Sequence, residues 1–574
     1  MPNGRQILKD AGFHTVVIGA RDDVVRDVRS TLYLLWGGVA FVLLIGCVNI
    51  ANLVLARAYR RSGELATRMA LGAERGRLAR QILSEAAVTA VLGGMLGLGV
   101  GALGLKLVGS LGMQSLPRGS DVSLDGTVVL FTLGLSLAAA VLFGALPVAH
   151  VFRSDLGGVF RSESRTGTAS RRAMLLRGLL VTGQVALAFV LLSGAGLLFR
   201  SFQAASRVDP GFQPDGVLTG VVTLSTARYP DGASRRRFAS ELLDRIRALP
   251  GVESAGATSM IPFGGNNSSS VIWPEGYTPR PGESLIAPYA SFVAPDYFEA
   301  MGIPVREGRA FDDRDGPDAP NSIVIDELLA RRYWPDSSPL GHKMVWGTTP
   351  NGDAQVPDSS LYTIVGVVGA IQQNDLTATG QVGAYYFPYL HRAPNSGMML
   401  VVKTSGDATA STPAVRSALS DLDPELPLFD VESMGARIED SLRARRSSMV
   451  LLSIFSGVAL FLAVVGLYGV LAHAVAQRTR EIGIRMAMGG APSDVFRMVV
   501  VQGARVVLVG LLLGVGGSFA LVRVVRSVLF GVGPSDPTVL VVSAAALAVV
   551  GLVACVIPAL RATRVDPTEA LAGG

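Results

Sequence analysis

Two short charged blocks hold the residue pairs with the clearest chemical meaning in this chain. In RSGELATRMALGA (61–73), Glu64 precedes Arg68 by four residues and Gly72 follows; in RTREIGIRMAMGG (478–490), Glu481, Arg485 and Gly489 repeat that order. On a helix, a Glu four residues ahead of an Arg stacks on the same face in the favourable sense, worth about 0.2–0.5 kcal/mol, and the glycine ends the helix. This is the chemistry of a positioned ion pair, not of a catalyst. Elsewhere the polar tract 203–446 holds only His342 and His391, neither with metal-ligand spacing, and it lacks HExxH, GxSxG and SxxK patterns. The acidic run Asp312, Asp313 and Asp315 does not have calcium-loop spacing and reads as a solvated loop. Tyr385, Tyr386, Phe387 and Tyr389 read as a strand packed into a core in preference to a docking surface. The phosphate-cradling GxxxxGK[ST] pattern is absent from all 574 residues. No enzyme, metal or cofactor is expected from this inventory.

The elements that must position the charged blocks are set by hydropathy. The chain is 49% apolar with a mean hydropathy of +0.42, and the excess is clustered. A helix needs about 20 apolar residues to cross roughly 30 Å of hydrocarbon. Stretches 31–57, 86–109, 127–152, 177–200, 449–474, 499–522 and 537–560 qualify, which predicts seven spans. Their glycines, as in GGMLGLGVGALGL (93–105), read as close helix packing. The basic balance does not point to nucleic acid, because arginines gather beside the spans, at 57–80 and 153–177. The positive-inside rule puts those segments in the cytoplasm and, by alternation, the N-terminus and the tract 203–446 outside. Both cysteines, Cys47 and Cys555, fall in spans, so disulfides do not staple the outer domain. Residues 1–30 contain no apolar signal segment, and an external start of that kind suggests either that something preceding residue 1 has been lost or that the start is misassigned.

The two charged blocks align without gaps at an offset of 417 residues, and the register persists to Arg80 and Arg497. Pro147 and Asp155 also match the spacing of Pro558 and Asp566. Two three-span units follow, 31–152 and 449–560, in the same membrane sense and so parallel repeats. Among polar residues of the spans, Asn49, Asn52, Gln184, His150 and His473 read as interhelical hydrogen-bonding groups, and no mid-span carboxylate suggests a proton relay.

The blocks RSGELATRMALGA and REIGIRMAMGGAPSDVFRMVVVQG, with the terminal IPALRATRVDPTEALA, resemble the signature regions of MacB/FtsX-type permeases of ABC transporters, closest to the duplicated, acidobacterial-type form. PDYFEAMGIPVREGRAF and DELLARRYWPDSSPLGHKM resemble the periplasmic domain of the same permeases. The resemblance implies that Glu64, Arg68, Gly72, Glu481, Arg485 and Gly489 contact a separate ATPase subunit. It also implies that residues 14–30 are the tail of a domain missing from the first unit.

The expected fold is a polytopic α-helical membrane protein with a large α/β extracytoplasmic domain. Residues 1–30 are an extracytoplasmic remnant, 31–152 the first unit and 153–176 a cytoplasmic linker. Residues 177–202 are a helix leading outward, 203–446 the outer domain and 447–574 the second unit. Within the domain, strands are expected at 217–225, 322–326, 362–371 and 398–404, and helices at 233–249 and 411–422. The expected function is an ABC permease that couples a separate ATPase to movement of the outer domain. The alternative is an FtsX-like signalling scaffold without transport; a membrane-anchored enzyme is disfavoured by the residue inventory. Expected partners are that ATPase and membrane lipids, with a periplasmic or outer-membrane partner left open and no nucleic acid.

Overall fold

The computed structural model describes residues 17–20, 29–60, 64, 67–68, 71, 73–110, 124–153, 169–278, 286–346, 358–391, 397–526, 529–533 and 535–564. Gly72, Asp155 and Asp566, singled out from the sequence, lie outside the described residues, as does 1–16. The chain forms two compact units: one comprises Ala204–Ala444 with the N-terminal residues 17–20, the other Arg21–Gln203 with Arg445–Gly574.

The chain opens with four long helices, α1 (Arg29–Arg60), α2 (Arg75–Ser110), α3 (Gly126–Arg153) and α4 (Ala169–Ser206). The domain that follows contains β1 (Val217–Val222), α5 (Gly232–Arg247), β2 (Val252–Thr258), β3 (Ile272–Pro274), β4 (Tyr289–Val293), α6 (Tyr297–Ala300) and β5 (Val305–Gly308). It continues with β6 (Ser322–Asp326), α7 (Glu327–Tyr333), β7 (Lys343–Trp346), β8 (Leu361–Val368), β9 (Ala384–Pro388), β10 (Met398–Thr404), α8 (Thr412–Leu422), β11 (Leu428–Ser433) and α9 (Met434–Ser441). The chain then returns to long helices: α10 (Arg443–Gln477), the short α11 (Thr479–Ala487), α12 (Pro492–Val525) and α13 (Pro537–Thr563).

Runs of Leu, Val and Ala with almost no charge form helices because only a helix satisfies its own backbone in hydrocarbon. Among the described residues, α1, α2, α4, α10, α12 and α13 contain stretches long and apolar enough to cross a membrane. Helix α3 is continuous over 28 residues, but its described apolar stretch, Gly126–Leu142, is shorter than the span expected at 127–152. Helix α4 is the most enclosed of the six; Val181, Val185, Ala188 and Leu191 are buried against Ile45 of α1, Leu467 of α10, Val507 of α12 and Leu547 of α13.

The other unit is built on one 11-stranded mixed sheet in the order β11-β1-β10-β2-β4-β9-β6-β8-β7-β3, with β5 paired to β8. Pairs β4–β9 and β6–β8 are parallel; the remaining pairs are antiparallel. SIVID and MMLVVKT form β6 and β10 over the expected residues. The helix expected at 233–249 is α5, started by the Asp231 carboxylate accepting from Ser234 N at 2.7 Å, which satisfies one of the orphan first-turn donors. Its Phe238, Leu242 and Ile246 pack with Val415 and Leu419 of α8 on Leu218, Ala257, Leu400 and Val402 of the sheet. A second cluster contains Tyr297, Phe298 and Met301 with Val217, Val401 and Tyr386.

Candidate functional site

The charged block of the second unit is helix α11 and its C-terminal turn. Arg485 Nη2 lies 2.7 Å from Glu481 Oε1, with Glu481 in the first turn and Arg485 in the last, where each complements the helix dipole. Ile482 is the anchor: it is buried in a cluster with Val495 and Val499 of α12 and Ala559 and Ala562 of α13. The helix stops because Gly489 takes φ +91°, which lets Gly490 N donate to Arg485 O at 2.9 Å and Gly489 N to Met486 O at 3.1 Å. These two bonds are the Schellman pattern, which satisfies the last carbonyls of a helix.

The first unit repeats this chemistry. Arg68 Nη2 lies 2.5 Å from Glu64 Oε1, and Ala73 N donates to Arg68 O at 3.0 Å, the counterpart of the Gly490–Arg485 bond. Each arginine also reaches the next helix thirteen residues on: Arg68 Nη1 donates to Gln81 Oε1 at 3.3 Å, and Arg485 Nη1 to Met498 Sδ at 3.7 Å. Gln81 and Met498 occupy matching positions, as do the buried Leu78 and Val495. Glu64–Arg68 and Glu481–Arg485 are therefore held in equivalent settings.

Sequence reasoning missed two residues of this site. Leu71 and Met488, again 417 apart, are each 83% exposed at the tip of the turn, immediately before the glycine. The signal was a large apolar residue at the end of a polar helix, at matched positions of both blocks. In the second unit Met488, Arg485, Gly489 and Asp494 line a cleft of about 450 Å³ beside α12.

The other candidates settle into structural roles. Asp315 is buried and accepts from Arg309 and from Ser322 Oγ, while Asp312 forms a capping box with it. The Asp312 carboxyl is held well below the usual range by hydrogen bonds from Arg314. Tyr385, Tyr386 and Phe387 are buried in β9, and Tyr389 is buried just beyond it. His391 bonds Gly316 O and Asn321 Oδ1. Among the described residues no three His, Cys, Asp or Glu side chains gather as a metal site. Asn49 and Gln184 meet in the membrane unit, where Gln184 Nε2 donates to Asn49 Oδ1 at 2.9 Å, and Asn52 is buried. The side chain of His150 lies outside the described ones.

Known families match three stretches of the chain. The FtsX-like permease C-terminal family matches residues 36–156 and again 453–567, and the MacB-like periplasmic core domain matches 180–422. Two FtsX-like permease segments flank a MacB-like periplasmic core. The two FtsX-like matches begin 417 residues apart, the offset of the charged blocks. The chain is a multi-pass inner-membrane protein that carries two FtsX-like permease segments and a MacB-like periplasmic core as its extracytoplasmic domain.

Similar proteins include the macrolide export ATP-binding/permease protein MacB of Acinetobacter baylyi, 26% identical over 49% of this chain and 41% of that protein. MacB of Psychrobacter cryohalolentis is 25% identical over 62% of this chain and 51% of its own. The probable syringafactin export ATP-binding/permease protein SyfD of Pseudomonas syringae is 25% identical over 51% and 45%. The chain spans about half the length of these relatives. The crystal structure of the periplasmic region of MacB from Actinobacillus actinomycetemcomitans aligns over 42% of this chain and 98% of its own, at 14% identity and a TM-score of 0.28.

Proposed function

We propose that the chain is the permease subunit of an export or mechanotransmission system of the ABC type, of the duplicated form. In this reading a separate cytoplasmic ATPase seats on the segments around Glu64, Arg68 and Gly72 and around Glu481, Arg485 and Gly489. Its movements pass along the helices to the extracytoplasmic domain. The observation that carries the reading is the matched exposure of Leu71 and Met488 beside the two ion pairs. A single exposed apolar side chain is ordinary on a protein surface; the same one at the same tip of two repeats, with a charged rim held in place beside it, has the anatomy of a protein interface. Two seats of one kind fit an ATPase presenting two like surfaces. The names of the relatives, which join ATP-binding and permease, support such a partner.

The test is co-purification of an ABC ATPase with the chain, and its stimulated hydrolysis, for the wild type and for Leu71→Asp combined with Met488→Asp. Loss of both with unchanged helix content is expected. Retention of both would remove these tips from the interface.

One observation favours transmission of force, as in an FtsX-like scaffold, over passage of a hydrophilic solute: Asn49 and Gln184 are buried and bonded to each other. Under that reading ATP produces no solute flux in vesicles, while a periplasmic partner responds to it.

A further inference from the structure

The first helices of the two three-helix units, α1 and α10, meet each other, and they do so through matching positions. Gly38 and Phe455 are 417 apart in sequence, and a Cβ at Gly38 would lie 2.8 Å from Phe455 Cδ2 and 3.3 Å from Leu452 Cδ1. Three turns further on, Asn49 and Gly466 are likewise 417 apart, and a Cβ at Gly466 would lie 2.5 Å from Asn49 Oδ1. At each level one helix supplies bulk and the other its absence, and the roles exchange between levels. The backbone follows the same relation: Asn49 Nδ2 donates to Leu462 O at 2.7 Å and Gln184 Nε2 to Ile45 O at 3.0 Å, and Ile45 and Leu462 are again matching positions. Gln184, from α4, wedges into the same notch and leaves no room for a side chain at position 466.

We propose that this alternation is a steric key that pairs the first unit with the second and excludes the like pairings, α1 with α1 and α10 with α10, that two copies of the chain could make. The proposal rests on the repeat and is independent of the ATPase assignment. Between membrane helices there is little hydrophobic drive, so association is decided by close packing and interhelical hydrogen bonds. Pairing α1 with α1 would set Gly38 against Gly38, leaving a void, and crowd Asn49 against Asn49. Pairing α10 with α10 would set Phe455 against Phe455 where even a methyl group on the facing residue is too close, and would leave the Leu462 carbonyl without the Asn49 amide. Only the heterologous pair fills every hole once.

Two measurements on the full chain test the key. In a background with Cys47→Ala and Cys555→Ala, Gly38→Cys with Leu452→Cys on one chain reports the unlike pair, while Gly38→Cys alone or Leu452→Cys alone on two differently tagged, co-expressed chains reports the like pairs, and a short thiol cross-linker is applied in native membranes. Cross-linking within the single chain and none between chains is expected; a cross-linked species carrying both tags overturns the proposal. In the second measurement the knob is moved to the other helix. Gly38→Phe alone should lower the thermal stability of the purified protein, and Gly38→Phe with Phe455→Gly should recover most of that loss. A double variant no better than Gly38→Phe, with thiols cross-linking equally within and between chains, would sink the idea.

Discussion

The two three-helix units share a sequence pattern but are packed differently. In the second unit α12 turns Gly510 and Gly514 towards α4. A Cβ at Gly510 would lie 2.6 Å from Val185 and 3.0 Å from the Thr182 carbonyl, and one at Gly514 would lie 2.8 Å from Phe189. The matching glycines of α2, Gly93 and Gly97, have nothing within 4 Å of the place a Cβ would take. Two turns earlier Gly503 packs on Cys555 and Leu471, whereas its counterpart Ala86 lines a cavity of about 750 Å³ among α1, α2 and α3. Among the described residues α4 lies beside α12 and no helix takes the corresponding place beside α2. Small residues set how close a neighbour can come; the neighbour decides whether that closeness is used.

Replacing these glycines breaks the comparison most sharply. Gly514→Leu should cost about 3 kcal/mol or more through overpacking against Phe189, while Gly97→Leu should stay within about 0.5 kcal/mol. Thermal unfolding of both variants in one detergent reads the difference. Equal losses would mean that α2 carries a covering neighbour as α12 does.

A second contrast is that the extracytoplasmic domain is inserted within the second half, between α4 and α10, and it carries its own titration. Burial pushes the Asp326 carboxyl up to about 7, against the pull of the Leu329 and Ala384 N–H groups that it accepts from. Because the folded value is raised, the stabilisation is complete below the ordinary carboxylate range and is lost as pH rises through about 7. The unfolding of the domain should therefore move to lower temperature from pH 5 to pH 8 as its stability falls by on the order of a few kcal/mol, while the membrane unit responds little. Asp326→Asn should flatten the dependence, as followed by the fluorescence of Trp273, Trp334 and Trp346. A domain transition that does not shift with pH in the wild type would remove Asp326 as its cause.

The smallest effect belongs to the turns where the units agree. Gly489→Ala forces a side chain into a left-handed backbone and should cost about 1 kcal/mol. Amide exchange should accelerate in α11 and leave the interiors of α10 and α12 protected. If exchange in α11 is unchanged, the glycine does not hold the turn.

How much of this could be read from sequence depended on whether the signal was local. Apolar runs gave the long helices, and the strands SIVID and MMLVVKT showed because β-branched and apolar residues cluster there without a break. The Glu–Arg–Gly blocks declared the repeat because charged residues at fixed spacing rarely coincide by chance. What stayed hidden needed the third dimension. Gly38 and Phe455 are both unremarkable in an apolar run, and only the register between α1 and α10 makes them complementary. Leu71 and Met488 look like any apolar residue near a helix end until the anchoring of Ile482 shows which way the turn must face. The short strands β3 and β7, at three and four residues, have too few side chains for a period to register.

The hydrogen bond from Asn49 to Leu462 joins residues 413 positions apart. At a synthesis rate of about 5–20 residues per second, the amide of Asn49 enters the membrane roughly 20–80 s before its acceptor has been made. For that interval the first unit waits in the bilayer with a polar group unmatched and an empty notch at Gly38, so the time at greatest risk for this protein falls during its synthesis, before the second half exists.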